Sequence, residues 1–357
     1  MLWDPRSEVC VGARLVYVPP HDRGRGTGDG APMKLLVTGG AGYIGSIVAK
    51  QLLDAGHEVT VLDNLERGHR AAVAKGAELV VADLLDRDAL SSAVTADFDG
   101  VLHFAALALV SESVSHPERY YRANVGGTLN LLEAMDAADI DRLVFSSTCA
   151  VYGEPDEVPI AETAVPRPVN AYGASKLAVD LMIRDFCRAH GLGAASLRYF
   201  NVAGASDGLG EDHDPETHLI PNILRAALGL APEVNIYGTD YGTRDGTAVR
   251  DYIHVEDLGI AHLLALEATS EGEHKVFNLG NGGGFSVREV IEAARAVTGR
   301  DIRAREAARR PGDPPVLVAA SDLIRSELGW TPRKAGLEEM VADAWAFAQA
   351  HPNGYAD

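Results

Sequence analysis

The stretch Lys34-Leu35-Leu36-Val37-Thr38-Gly39-Gly40-Ala41-Gly42-Tyr43-Ile44-Gly45 decides the fold. A run with the character of a buried strand enters a glycine-rich turn, and Ser46 to Leu53 continues as the start of a helix. Glycines at such a turn let backbone amides approach a pyrophosphate, whose charge is met by the helix N-terminus. Gly40, Gly42 and Gly45 fit the usual dinucleotide spacing, while Gly39, Gly42 and Gly45 fit a wider variant of it. A glycine motif alone is weak. Here a second strand, Glu58-Val59-Thr60-Val61-Leu62, follows and ends in Asp63. An acid at that point accepts hydrogen bonds from an adenosine ribose and disfavours a 2′-phosphate, which selects NAD over NADP. The plain alternative for Asp63 is a solvated turn residue.

Further along, Val144-Phe145-Ser146-Ser147-Thr148-Cys149-Ala150-Val151-Tyr152-Gly153 runs from apolar residues into a hydroxyl cluster, as a buried strand does when it ends at an active site. Tyr172-Gly173-Ala174-Ser175-Lys176 then places a phenol and an ammonium four apart, on one face of a helix. A free phenol has a pKa of about 10 and is a poor base at neutral pH. A neighbouring ammonium favours the phenolate and makes Tyr172 a usable proton acceptor. Tyr and Lys also meet at this spacing on ordinary helices, so the pair gains its meaning from the glycine turn upstream.

From Met33 the chain alternates strand and helix. Strands are expected at 34–38, 58–62, 78–81, 101–104, 143–146 and 194–198, with prominent helices at 117–136 and 170–190. This alternation specifies an α/β, Rossmann-type doubly wound parallel sheet covered by helices on both faces. Beyond about Phe200 the pattern loosens into Gly, Pro, Asp and Asn clusters. The expected organisation is a dinucleotide-binding domain at 33–200 and, at 201–357, a smaller C-terminal substrate-binding lobe with segments returning to the main sheet. Residues 1–32 lack a hydrophobic period and contain the polar, glycine-rich His21 to Pro32, which reads as a flexible extension. Met33 stands immediately before the first strand, and translation is expected to begin there.

Composition narrows the class. With 51 acidic and 32 basic residues the formal charge is −19, which disfavours nucleic acid and anionic membranes as partners. Three widely spaced cysteines, Cys10, Cys149 and Cys187, suit a reducing, cytoplasmic compartment and show no metal-type pair. No apolar run approaches the roughly 20 residues that span a bilayer.

Several longer motifs make a family resemblance specific. They include Leu62-Asp63-Asn64-Leu65, Val101-Leu102-His103-Phe104-Ala105-Ala106, Leu197-Arg198-Tyr199-Phe200-Asn201-Val202-Ala203-Gly204 and Asp245-Gly246-Thr247-Ala248-Val249-Arg250-Asp251-Tyr252-Ile253-His254-Val255. Near the end come Arg309-Arg310-Pro311-Gly312-Asp313 and His351-Pro352-Asn353-Gly354-Tyr355. From Met33 onward the chain resembles the extended short-chain dehydrogenase/reductases, and within them the UDP-glucose (UDP-galactose) 4-epimerase family.

The resemblance implies NAD as a tightly held cofactor and a UDP-sugar as substrate. It implies oxidation at C4 to a 4-keto sugar, followed by hydride return to the opposite face. Tyr172 would be the proton acceptor, Lys176 its stabiliser and a ligand of the nicotinamide ribose, and Thr148 the partner of the sugar 4-oxygen. Cofactor contacts would come from Gly39, Gly42, Tyr43, Ile44 and Gly45 at the pyrophosphate and from Asp63 and Asn64 at the ribose. Asp83 and Leu84 would border the adenine, with Phe104, Ala105 and Ala106 beside it. Asn124 and Phe200 complete the set, Phe200 near the nicotinamide. The nucleotide-sugar side would use Asn201, His218, Leu219, Tyr237, Arg250, Arg310, Asp313 and Leu317. Arg250 and Arg310 suit a diphosphate because a guanidinium is a fixed, permanently charged donor fork. A homodimer built on the helices at 117–136 and 170–190 is also implied.

Four positions depart from the family pattern. Thr148 stands where Ser is frequent, Ala108 where a cofactor-contacting Lys is frequent, and His218 where the uridine pocket has Asn. Leu317 takes the place of a bulkier aromatic residue beside the sugar C2 substituent, and so opens the pocket in part toward an N-acetyl group. Two alternatives stay open: a related UDP-N-acetylhexosamine or UDP-pentose 4-epimerase, and a non-catalytic NAD-binding redox sensor. Dehydration is disfavoured, because Cys149 and Ala150 occupy the positions where a dehydratase of this superfamily carries an acidic pair.

Overall fold

The computed structural model describes residues 31–310 and 313–356. The expectations for 1–30, including flexibility of most of the extension, lie outside the described residues.

Seven parallel strands form the main sheet. Six follow in chain order: β1 (Lys34–Thr38), β2 (Glu58–Asp63), β3 (Glu78–Val81), β4 (Gly100–His103), β5 (Arg142–Thr148) and β6 (Gly193–Tyr199). The seventh, His274–Leu279, arrives from the C-terminal half and pairs with β6. Across the sheet the order is His274–Leu279, β6, β5, β4, β1, β2, β3. The order reverses between β1 and β4, so their carboxyl ends open a crevice, the usual ligand position in doubly wound sheets.

Side chains along each strand alternate between two buried faces, which explains the nearly continuous apolar runs. Leu35 and Val37 of β1 join one core with Val48 and Leu52 of the helix Tyr43–Asp54 and Leu258 and Ala261 of the helix Val255–Glu267. Leu36 points the other way, into a core with Leu131, Leu132, Val179 and Ile183 from the helices Gly127–Ala137 and Ala171–His190. A third core, holding Ile223, Val290 and Met340, joins the helices Leu219–Ala227, Val287–Thr298 and Leu337–Ala350. Residues from Pro32 onward pack as one compact unit. The expected second lobe gives the helix Val255–Glu267 and the strand His274–Leu279 to the main sheet.

Two helices place chemistry. The helix expected at 170–190 begins at Ala171, because the Asn170 side chain accepts a hydrogen bond from the Gly173 amide at 2.8 Å. It ends at His190, where Gly191 turns left-handed with φ 75°. The expected single helix at 117–136 is instead Pro117–Tyr120, a π-helical stretch at Tyr121–Gly126, and Gly127–Ala137. The extra residue in the π turn lets Asn124 turn inward. Its side-chain amide donates to the Leu107 carbonyl at 3.0 Å and to Ser175 Oγ at 3.0 Å, and its carbonyl oxygen accepts from the Leu107 amide at 2.8 Å. Among the described residues no helix is long and apolar enough to cross a membrane.

Candidate active site

A single cleft of the described residues runs over the carboxyl end of the sheet. Its lining includes nearly every residue expected at the cofactor and substrate. Asn124 is the exception. Its side chain ties the Leu107 backbone to the Ala171–His190 helix, with both amide hydrogens donated inside the protein.

One end of the cleft is the glycine turn. A Cβ on Gly45 would lie 2.2 Å from the Gly39 carbonyl oxygen, so only glycine allows the turn to close onto its helix. Gly42 is different. A Cβ there would meet only the Gly39 carbonyl, at 3.4 Å, and would otherwise project into the cleft. Gly42 is also the N-cap of the helix Tyr43–Asp54, which has no side-chain cap, so its first amides are available to an anionic ligand. Asp63, 7% exposed, ends β2 with each carboxylate oxygen bonded once, to the Ala41 amide at 3.0 Å and the Leu65 amide at 2.8 Å. The remaining lone pairs suit a ribose diol. Burial raises its pKa, against the lowering effect of those two amides. Asn64 donates to Asp83 at 2.9 Å and fixes the next acid along the rim. This cradle fits NAD.

The floor carries the reactive groups. Thr148 ends β5 with its hydroxyl accepting from the Ala150 amide at 3.2 Å. Gly173 permits the close approach of the Tyr172 helix, because a Cβ there would sit 2.4 Å from the Ala150 carbonyl oxygen. The Thr148 hydroxyl lies near enough to the Tyr172 phenol to favour its ionised form. Burial nevertheless pushes the phenol up to about 12, Thr148 working in the opposite direction. Lys176, 3% exposed, donates to the Ser146 carbonyl at 2.8 Å and lies 4.6 Å from the centre of the Phe145 ring. Burial brings the ammonium down to about 7, against the attraction of Asp180. The expected lowering of the Tyr172 pKa by Lys176 is therefore not a property of the protein by itself. Desolvation penalises both charged forms.

Sequence reasoning missed what holds Lys176. Asp180 follows it by four residues on the same helix. It accepts from Arg198 Nε at 3.0 Å and Arg198 Nη2 at 2.8 Å, and Ser147 Oγ approaches it at 3.3 Å. Arg198 also donates to the Tyr152 hydroxyl at 3.0 Å, and Tyr152 to Asn278 at 2.8 Å. The Tyr-x-x-x-Lys-x-x-x-Asp spacing was visible in the sequence; its partners on β6 and on the seventh strand were not.

The other end of the cleft carries basic groups. Arg250 donates to the Val249 carbonyl at 2.8 Å and is paired with Asp313. Arg310 stacks on Tyr237, with its guanidinium carbon 4.1 Å from the ring centre. Leu317 lies in register beside Arg250 and packs with Phe200, Val151 and Ile160. The Asn201 side chain donates to the Asp251 carbonyl at 2.9 Å. His218 lines the cleft, but its Nδ1 is held between Glu211 at 2.7 Å and Glu216 at 3.1 Å. Attraction to Glu211 raises the His218 pKa, and His218 and His213 in turn lower that of Glu211 against the effect of its burial.

The family model described as the NAD dependent epimerase/dehydratase family matches residues 35–280. The chain belongs to that family. It is 56% identical over 326 residues to a UDP-glucose 4-epimerase of Streptomyces lividans, a match covering 91% of this chain and 98% of that one. A crystal structure of a UDP-glucose 4-epimerase superposes with a TM-score of 0.88 at 46% identity, over 91% of this chain and 100% of the other. A UDP-glucose 4-epimerase from Bifidobacterium longum, solved with NAD+ and UDP, matches with a TM-score of 0.85 at 36% identity, over 90% and 100% of the two chains. The sheet order, the glycine turn and the NAD dependence expected from the sequence agree with this membership.

Proposed function

We propose that this chain is a UDP-glucose 4-epimerase, interconverting UDP-glucose and UDP-galactose with NAD held throughout turnover. The observation that carries the reading is one cleft with three parts in line. A dinucleotide cradle lies at Gly42 and Asp63, a buried Thr148–Tyr172–Lys176 floor in the middle, and Arg250, Arg310 and Tyr237 at the far end.

NAD supplies, when bound, the hydride acceptor and donor at C4 and a positive ring near the floor. The protein's own groups manage the proton. Thr148 holds the sugar 4-oxygen and passes the 4-hydroxyl proton on to the neighbouring Tyr172. Lys176, fixed by the Ser146 carbonyl and drawn by Asp180, keeps positive charge beside the phenolate as it forms. Arg250 and Arg310 take the diphosphate and leave the sugar free to present either face. Arg250 must exchange its partner Asp313 for phosphate oxygens to do so. The working molecule is a cytoplasmic homodimer. Support comes from exposed apolar residues on the pairing helices, Tyr121, Leu129 and Leu181, which are 45%, 36% and 44% exposed.

The test is incubation of purified protein with UDP-galactose, UDP-N-acetylgalactosamine and a UDP-pentose, each epimer pair resolved chromatographically. UDP-galactose should be converted fastest, to an equilibrium mixture with UDP-glucose. Conversion of another sugar alone would replace the substrate assignment, and no conversion of any would favour a sensor.

A further inference from the structure

In the wall of the cleft, apart from the Thr148–Tyr172–Lys176 floor, the described residues hold a group of metal-capable donors with no assigned part in hydride or proton transfer. Glu211, His213, Glu216 and His218 lie on the loop that leads into the helix Leu219–Ala227. One ligand atom from each lies within 4.8 Å of all the others. The Nδ1 atoms of both histidines face the two carboxylates. His218 Nδ1 is 2.7 Å from Glu211 and 3.1 Å from Glu216, and His213 Nδ1 is 3.2 Å from Glu211 and 3.9 Å from Glu216. Ligand atoms about 2.0–2.2 Å from a tetrahedral zinc stand roughly 3.4 Å apart, a spacing these distances bracket.

Burial sharpens the case. The Glu211 and Glu216 side chains are only 10% and 7% exposed, and buried carboxylates require a positive partner. The His213 Nδ1 atom is buried and makes no well-directed hydrogen bond, although Glu211 is close by. A shared cation accounts for a nitrogen placed near a carboxylate but off its hydrogen-bonding direction. His213 and His218, at 30% and 50% exposure, leave an entry path for an ion.

The geometry points to a divalent transition-metal site formed by Glu211, His213, Glu216 and His218, with Zn2+ the ion that two imidazoles and two carboxylates fit best. Four protein ligands make it a closed, structural site. The ion fastens the loop that delivers His218 and Leu219 to the cleft, and it takes no part in hydride or proton transfer. The competing account is that two imidazolium ions neutralise the carboxylates without metal.

Full-length, untagged protein freed of metal by chelator dialysis should be titrated with zinc against a chromogenic competitor. One equivalent should bind with a Kd of about 1 µM or tighter. Zinc should raise the melting temperature of the parent protein, and Co2+ should give the visible absorption of a tetrahedral site. His213→Ala and His218→Ala should each weaken binding about 100-fold, one ligand's share of a four-ligand site. Glu216→Gln, which keeps the side-chain volume, should weaken it as well. Parent protein that binds no tighter than about 100 µM would favour the imidazolium account and overturn the site. Binding retained in both histidine variants would overturn it too, by assigning the ion to others of the 12 histidines.

Discussion

At the scale of single residues, burial sets the electrostatics of the floor. Tyr172→Phe keeps the ring and its packing but removes the oxygen that accepts the proton. The variant should fold and retain NAD while losing about 10²–10⁴-fold in turnover, and activity within about twofold of the parent would exclude Tyr172 as the base. Lys176 offers a thermodynamic check. Its folded pKa of about 7 lies below its ordinary 10.5. Between those values the unfolded chain binds the additional proton, so this group makes stability rise with pH across that window. Lys176→Met should flatten the rise, read as urea midpoints at pH 7 and pH 9. An unchanged slope would mean that Lys176 is not desolvated as described. Leu317 sits beside Arg250 and Phe200. Pocket size discriminates by about 1–3 kcal/mol per methylene-scale change. Leu317→Tyr should therefore reduce activity on UDP-N-acetylgalactosamine selectively. An equal loss on UDP-galactose would show that Leu317 is not the gate.

At the scale of elements, the N-cap of the Tyr172 helix is a separable contribution. Asn170→Ala removes the bond to the Gly173 amide and should cost about 1 kcal/mol in denaturant unfolding. A change below about 0.3 kcal/mol would indicate that tertiary packing alone sets the helix start. The same elements show what was legible in the sequence and why. β1, the glycine turn and Asp63 were readable because they are contiguous and their periodicity is a local consequence of burial on two faces. The Tyr172–Lys176 helix was readable from its spacing. The π turn at Tyr121–Gly126 was not, because it follows from Asn124 reaching Leu107 and Ser175, 17 and 51 residues away. Asp180, Arg198, Tyr152 and Asn278 escaped notice because Tyr152 and Asn278 are 126 residues apart and meet only once the sheet is complete. The acidic pair around His218 was not legible, because Glu211 and Glu216 close around it only in the folded loop.

At the scale of the whole molecule, the exposed apolar residues on the 117–137 and 171–190 segments predict association. Light scattering at micromolar concentration should give twice the monomer mass, and Leu181→Glu should shift the population toward monomer. A monomeric parent would contradict the dimer.

The seventh strand, His274–Leu279, has a consequence for how the protein is made. With the helix Val255–Glu267 it covers sheet surface around Leu102, Val144 and Leu197, all contributed by the first 200 residues. A nascent chain that has emerged only that far covers this face with the helix Tyr43–Asp54 and leaves the remainder exposed. The nucleotide-binding half therefore does not complete its core from its own residues, as an independent N-terminal domain would. Its packing is complete only once the strand His274–Leu279 has been made. A premature stop anywhere in the C-terminal lobe upstream of that strand would forfeit the cofactor platform together with the substrate side.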